Sequence, residues 1–151
     1  MSAAIAQPTR TKLPLSRVLA AGGLTILLTV IVNTIVFFVA KPIVNPDPSF
    51  VPFQSVAPTI IFTIFFLVFA TIAYALVNLF AKDLVRTWTI VAIVGGVLSL
   101  VPDFQLLLMP AAMEPVMGVA TTPAVLVLIL MHITGWMITL WVFTKWAVAG
   151  Q

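Results

Sequence analysis

The chain has 151 residues, of which seven are Lys or Arg and four are Asp or Glu, against 62% hydrophobic residues and a mean hydropathy of +1.24. A soluble domain carries about a quarter charged residues, so 7% cannot solvate a globular surface, which excludes a soluble enzyme, a nucleic-acid binder and a secreted disulfide scaffold. With no cysteine there are no disulfides, thiolate metal sites or iron–sulfur clusters, and the single histidine, His132, excludes bis-histidine haem within one chain.

The charges are clumped. There are 23 uncharged residues between Arg17 and Lys41, 34 between Asp47 and Lys82, and 30 between Glu114 and Lys145. Each gap exceeds the ~20 apolar residues that cross a bilayer core as a helix. The composition therefore predicts an all-α integral membrane protein, one membrane domain over residues 18–146 between a basic tail (1–17) and a short C-terminal tail (147–151).

Residues 1–17 carry Arg10, Lys12 and Arg17 and resemble the start of a signal peptide. The apolar run that follows, 18–40, is longer than the ~7–15 residues of a cleavable segment, and Phe38 stands where cleavage wants a small residue, so an uncleaved first span is expected. Five prolines in 41–58 predict an extended loop. A second span is expected over about 59–81, then a tight polar link, Lys82 to Arg86.

The third span is short. Its charge-free window, 87–102, holds 16 residues, roughly 24 Å of helix at ~1.5 Å per residue against a core of about 30 Å. The favoured reading ends it near Pro102, giving a span of about 88–102 with Asp103 at the interface, because proline disfavours helix before it and an uncompensated Asp deep in lipid is costly. The alternative is a kink and continuation to Met109. On the favoured reading 103–122 is an apolar interfacial loop, in which Pro110 and Pro115 interrupt any helix through Met109, Met113 and Met117. A fourth span is expected over about 124–146.

Counting Lys and Arg near the span ends orients the chain. Arg10, Lys12, Arg17, Lys82, Arg86 and Lys145 fall on one side and Lys41 alone on the other. The expectation is an up-down-up-down bundle of four transmembrane helices with both termini cytoplasmic. Trp88, Trp141 and Trp146 then mark an aromatic belt at the cytoplasmic ends of spans three and four.

No phosphate loop, paired histidines or nucleophile elbow is present, so no catalytic residue and no metal site is predicted. Matched depths from the outer face place Asn33, Asp103 and His132 as a candidate polar pocket open to the outside. It reads either as a proton relay, a small-ligand site or single-His ligation of a pigment or haem, or as hydrogen-bonded packing glue. Beyond that open possibility no cofactor is expected. Tyr74 and Asn78, four apart, form a secondary polar face. Ala92 with Gly96, and Gly95 with Ser99, are small-xxx-small pairs suited to close helix packing. Lys145, at its helix end beside Trp146, is expected to snorkel to the interface.

Several short motifs carry a family resemblance: Ile31-Val32-Asn33 in the first span, Ala57-Pro58-Thr59 closing the proline loop, Arg86 ending the link, Ser99-Leu100 before Pro102, and Leu130-Met131-His132 in the last span. Together they resemble a family of small bacterial four-span membrane proteins carrying a domain of unknown function (DUF6069-like), over about residues 16–146. The resemblance implies a multi-pass protein of the bacterial cytoplasmic (inner) membrane and supplies no activity. The leading functional expectation is a non-catalytic membrane protein acting by association, as an accessory subunit of a larger assembly. Its partners are the lipid bilayer and other membrane proteins or further copies of itself, with no nucleic acid. The alternative is binding or transport of a small ligand or proton through the pocket around His132.

Overall fold

The computed structural model describes residues 12–149. Arg10 and the rest of the first eleven residues lie outside that range, as do the last two of the C-terminal tail. The described residues form helices and no strand: α1 (Leu15–Val44), α2 (Val51–Gln54), α3 (Val56–Phe80), α4 (Leu84–Ser99), α5 (Val101–Leu108), α6 (Pro110–Met117) and α7 (Thr122–Trp141), the last continued by a π-helical turn, Val142–Trp146. Four stretches are long and apolar enough to cross a membrane: α1, α3, α4 with α5 (Leu84–Leu108), and α7 with its π-turn (Thr122–Trp146). A helix satisfies its own backbone hydrogen bonds, as hydrocarbon surroundings demand. These are the features of a multi-pass membrane protein.

The third stretch differs from the favoured expectation. It does not stop at Pro102. Helix α4 ends at Ser99, Leu100 keeps a helical backbone (φ −83°, ψ −12°), and α5 begins at Val101 with Pro102 in its first turn. Pro102 has no N–H to offer Leu98, so the hydrogen-bond ladder breaks and the helix kinks instead of ending. The 103–122 segment is correspondingly not a plain loop. Pro110 occupies the first position of α6, where no intrahelical N–H bond is lost, and Met113 and Met117 turn towards the apolar core while Met109 is exposed. Proline placement also explains the 41–58 segment: α1 runs on through Pro42 to Val44, Pro52 lies in the first turn of α2, and Pro58 lies in the first turn of α3.

Helix α1 packs most extensively on α3 and α7, and α7 packs in turn on α4 and α5. Two apolar clusters hold the ends. At the tail end, Tyr74, Trp88 and Phe143 meet ring to ring at centroid separations of 4.2 to 5.1 Å, with Val18, Ala21, Leu84 and Val142 around them. Trp88 is therefore buried, 2% exposed, and is no member of an interfacial belt, whereas Trp141 is 55% exposed. At the loop end Phe37, Phe50 and Phe53 stack with Leu106, Val125 and Met131 nearby.

Polar side chains finish the tail end by satisfying helix termini. The Asn78 amide makes a reciprocal pair with the Leu13 backbone, accepting from Leu13 N at 3.1 Å and donating to Leu13 O at 3.0 Å. In the π-turn Ala147 N reaches back five residues to Val142 O, and the Tyr74 hydroxyl donates to the Phe143 carbonyl at 2.9 Å. Tyr74 and Asn78 share a buried face of α3, and both act on backbone groups. Arg17 donates to Trp146 O (2.7 Å), Ala147 O (3.2 Å) and Ala149 O (3.4 Å), and stacks over the Trp146 ring at 4.3 Å. A cation is favoured there by the carbonyl end of the helix. Arg17→Ala is expected to cost about 2 kcal/mol, from charged hydrogen bonds and a cation–π contact. A lowered unfolding midpoint of the detergent-solubilised protein would report it, and Arg17→Lys should restore less than half because it lacks the planar fork.

The loop end is tied through the side chains of Asp47 and Ser49. Asn45, at φ 41°, turns the chain out of α1. The Asp47 carboxylate accepts from the Ser49 hydroxyl (2.6 Å) and the Ser49 N–H (2.8 Å), and the Ser49 hydroxyl oxygen accepts from Val119 N at 3.0 Å. The hydroxyl and amide of Ser49 hold the Asp47 carboxyl below the usual carboxylate range. A depressed folded value means that the turn is supported above the unfolded value of about 3.9 and loses that support as pH falls through the lower folded one. The Ser49 amide resonance should titrate with Asp47 below pH ~4, and Asp47→Asn should remove that transition.

Candidate functional site

The kink at Leu100 aims the first turn of α5 at α7. Asp103 is the third residue of α5, where the N-terminal end of the helix favours an anion, and Leu106, one turn on, is buried beside it on the same face. Asp103 is 2% exposed. His132 lies mid-way along α7, and its ring leans back one turn towards Leu128, the direction in which helical side chains point. The two side chains meet: His132 Nδ1 is 2.8 Å from Asp103 Oδ2 and 3.0 Å from Leu128 O.

A carbonyl only accepts, and so does a carboxylate, so both neighbours require the hydrogen to sit on Nδ1. The N–H is directed at Leu128, and Asp103 Oδ2 lies close to Nδ1 without an aligned hydrogen bond of its own. In the neutral ring the lone pair falls on Nε2, which no described residue engages, and the imidazole side chain is 38% exposed. The arrangement is a base on the accessible side set against a buried carboxylate.

Asn33 does not join them. Its amide nitrogen donates to Thr63 Oγ1 at 3.2 Å and its carbonyl accepts from Thr134 Oγ1 at 3.3 Å, so it ties α1 to α3 and α7. His132 and Thr134 stand about 200° apart around α7, which sends one to α5 and the other to α1. The expected three-residue pocket is therefore a two-residue pair plus a separate packing bridge. Thr63 went unrecognised in the sequence, because nothing in the pattern sets it apart from Thr59 and Thr71 in the same phenylalanine-rich span.

The small-residue pairs divide in the same way. Ala92 is buried, and Gly96 takes the Trp136 ring, which a Cβ there would meet at 2.7 Å. Gly95 has nothing within 4 Å of its Cβ direction, and the Ser99 hydroxyl bonds back to Gly96 O at 2.7 Å. Lys145 is exposed at the end of the π-turn. Among the described residues no three His, Cys, Asp or Glu side chains gather as a metal ion requires. No protein-family model matches the chain, and no curated protein and no solved structure is significantly similar to it.

Proposed function

We propose that the protein is a four-span protein of the bacterial inner membrane, running up-down-up-down with both termini cytoplasmic, in which the Asp103–His132 pair takes up and releases a proton as part of small-ligand or proton movement. The observation that carries the reading is the pair itself: a carboxylate 2% exposed, against an imidazole 38% exposed, in stretches apolar enough to span. Ionisable groups at such depth are expensive and are retained for function more often than for packing. The orientation rests on the Lys and Arg distribution, and the bacterial origin on the family resemblance. Glue is already supplied elsewhere, by Asn33 with Thr63 and Thr134, and by Tyr74 and Asn78 on backbone carbonyls.

Association as an accessory subunit is the second reading. Gly95 on α4 has nothing within 4 Å of its Cβ direction, and the row Phe62, Phe65, Phe66 and Phe69 on α3 touches only within itself and is left exposed. Acyl chains cover such faces equally well, so this reading ranks below the pair. The deciding experiment places the purified chain in liposomes holding a trapped pH dye and imposes a potassium diffusion potential. Proton entry above that of protein-free vesicles is expected, with loss in Asp103→Asn and His132→Gln. Wild-type vesicles no leakier than empty ones would refute the proposal.

A further inference from the structure

Resting on the protonatable-site reading, we infer that the Asp103–His132 pair binds a lipophilic organic cation in exchange for a proton. Asp103 is buried, its Oδ2 receives no aligned hydrogen bond, and no Lys or Arg bonds to it. Its one cationic neighbour is His132, whose positive charge comes and goes with a proton. With the ring neutral the pair carries one negative charge; with Nε2 protonated it carries none. A cation and that proton therefore compete for the same carboxylate, and each weakens the other by the same factor.

The surrounding charges leave this competition undisturbed. α7 and α5 bear no further charged residue, α4 has Arg86 in its first turn at the tail end, and α6 has Glu114, which is exposed. On α1, Arg17 is tied to the tail-end carbonyls and Lys41 to Gln54 O; on α3, the titratable Tyr74 is engaged at Phe143. The π-turn has Lys145, exposed at the tail end.

The class of cation follows from what flanks the pair. A hard metal ion wants six or more oxygens, and here one carboxylate and one carbonyl already facing an N–H are within reach. An anion would meet Asp103. The residues one turn away on each helix are apolar or aromatic, Leu106 and Leu107 on α5 and Leu128, Ile129 and Trp136 on α7. Such surroundings admit a cation whose charge is wrapped in hydrocarbon or rests on a ring face. As it arrives, the proton on the pair passes to water and no covalent bond changes.

The test is equilibrium binding of tetraphenylphosphonium to the purified full chain in lipid nanodiscs. Saturable binding is expected to weaken by up to tenfold per unit of falling pH and to release up to one proton per cation bound into weakly buffered solution. Asp103→Asn, of the same shape, should abolish it. Triphenylphosphine oxide, a neutral analogue, should not compete. Absence of saturable binding, binding independent of pH, or equal binding of the neutral analogue would each overturn the inference. The last two are read on the wild-type chain, so they stand even if the variant fails to fold. Proton flux without tetraphenylphosphonium binding removes the cation and keeps the protonatable site, whereas loss of both removes both.

Discussion

Gly118→Ala is expected to undock the two loops at the loop end and lower the unfolding midpoint, while leaving the spanning stretches helical. Gly118 sits at φ 75° with ψ −174°, a region that is essentially glycine's alone and costs a residue with a side chain roughly 1–3 kcal/mol. Space is the second obstacle. A Cβ at Gly118 would fall on the backbone carbonyl of Ser49, and backbone cannot rotate away as a side-chain tip can. The substitution must therefore push the 118–119 segment off Ser49, breaking the Val119 N–H bond to the Ser49 hydroxyl and loosening the cover over Phe50 and Phe53. Faster proteolysis between α6 and α7 and a midpoint shift of several degrees would report it. Gly23→Ala is the control: it lies inside α1 with nothing within 4 Å of its Cβ direction, and exchanging glycine for alanine in a helix should be neutral or stabilising by about 0.5–1 kcal/mol. Equal behaviour of the two variants would mean that the Ser49–Gly118 contact is not formed.

The four apolar helices were legible from charge spacing because bilayer thickness sets a minimum length and only eleven charges are present to interrupt it. Reading the third one short followed from treating Asp103 as a marker of the interface. Local hydropathy sees an acid, but it does not see that His132, on another helix, lies against it. The prolines misled for a related reason. Pro52, Pro58 and Pro110 lie in first turns, where the N–H they lack had no partner to lose, Pro102 kinks its stretch without ending it, and Pro42 and Pro115 sit inside α1 and α6. At the site, depth was readable and azimuth was not. Asn33 and His132 lie at similar depths, yet on α7 it is Thr134 that faces Asn33. Trp88 shows the same limit: its position at the start of α4 fitted an interfacial belt, and only the meeting of Tyr74 with Phe143 reveals an interior to fill.

Asp103→Leu is the substitution that separates a working pair from a structural one, and it is expected to make the protein more stable. A buried carboxylate must be stripped of water or headgroups, and here its compensation is incomplete: one imidazole that need not be charged, and no aligned hydrogen bond to Oδ2. Apolar residues of similar volume in place of buried ionic groups are often neutral or stabilising by about 1–4 kcal/mol. Leucine suits the neighbourhood, since Leu106 one turn along is buried in the loop-end cluster with Phe37, Phe53 and Val125. His132 would lose little, because its Nδ1 hydrogen retains Leu128 O and its exposed side retains Nε2. Reversible unfolding in mixed micelles should therefore give Asp103→Leu a midpoint equal to or above wild type, while the liposome assay finds its proton entry gone. That combination, stability up and activity lost, is what a strained functional group leaves behind when removed. If Asp103→Leu instead cost 3 kcal/mol or more, on the order of what removing one partner of a buried pair costs, the carboxylate would belong to the fold. The kink at Leu100 would then be held by Asp103 and not merely aimed by it.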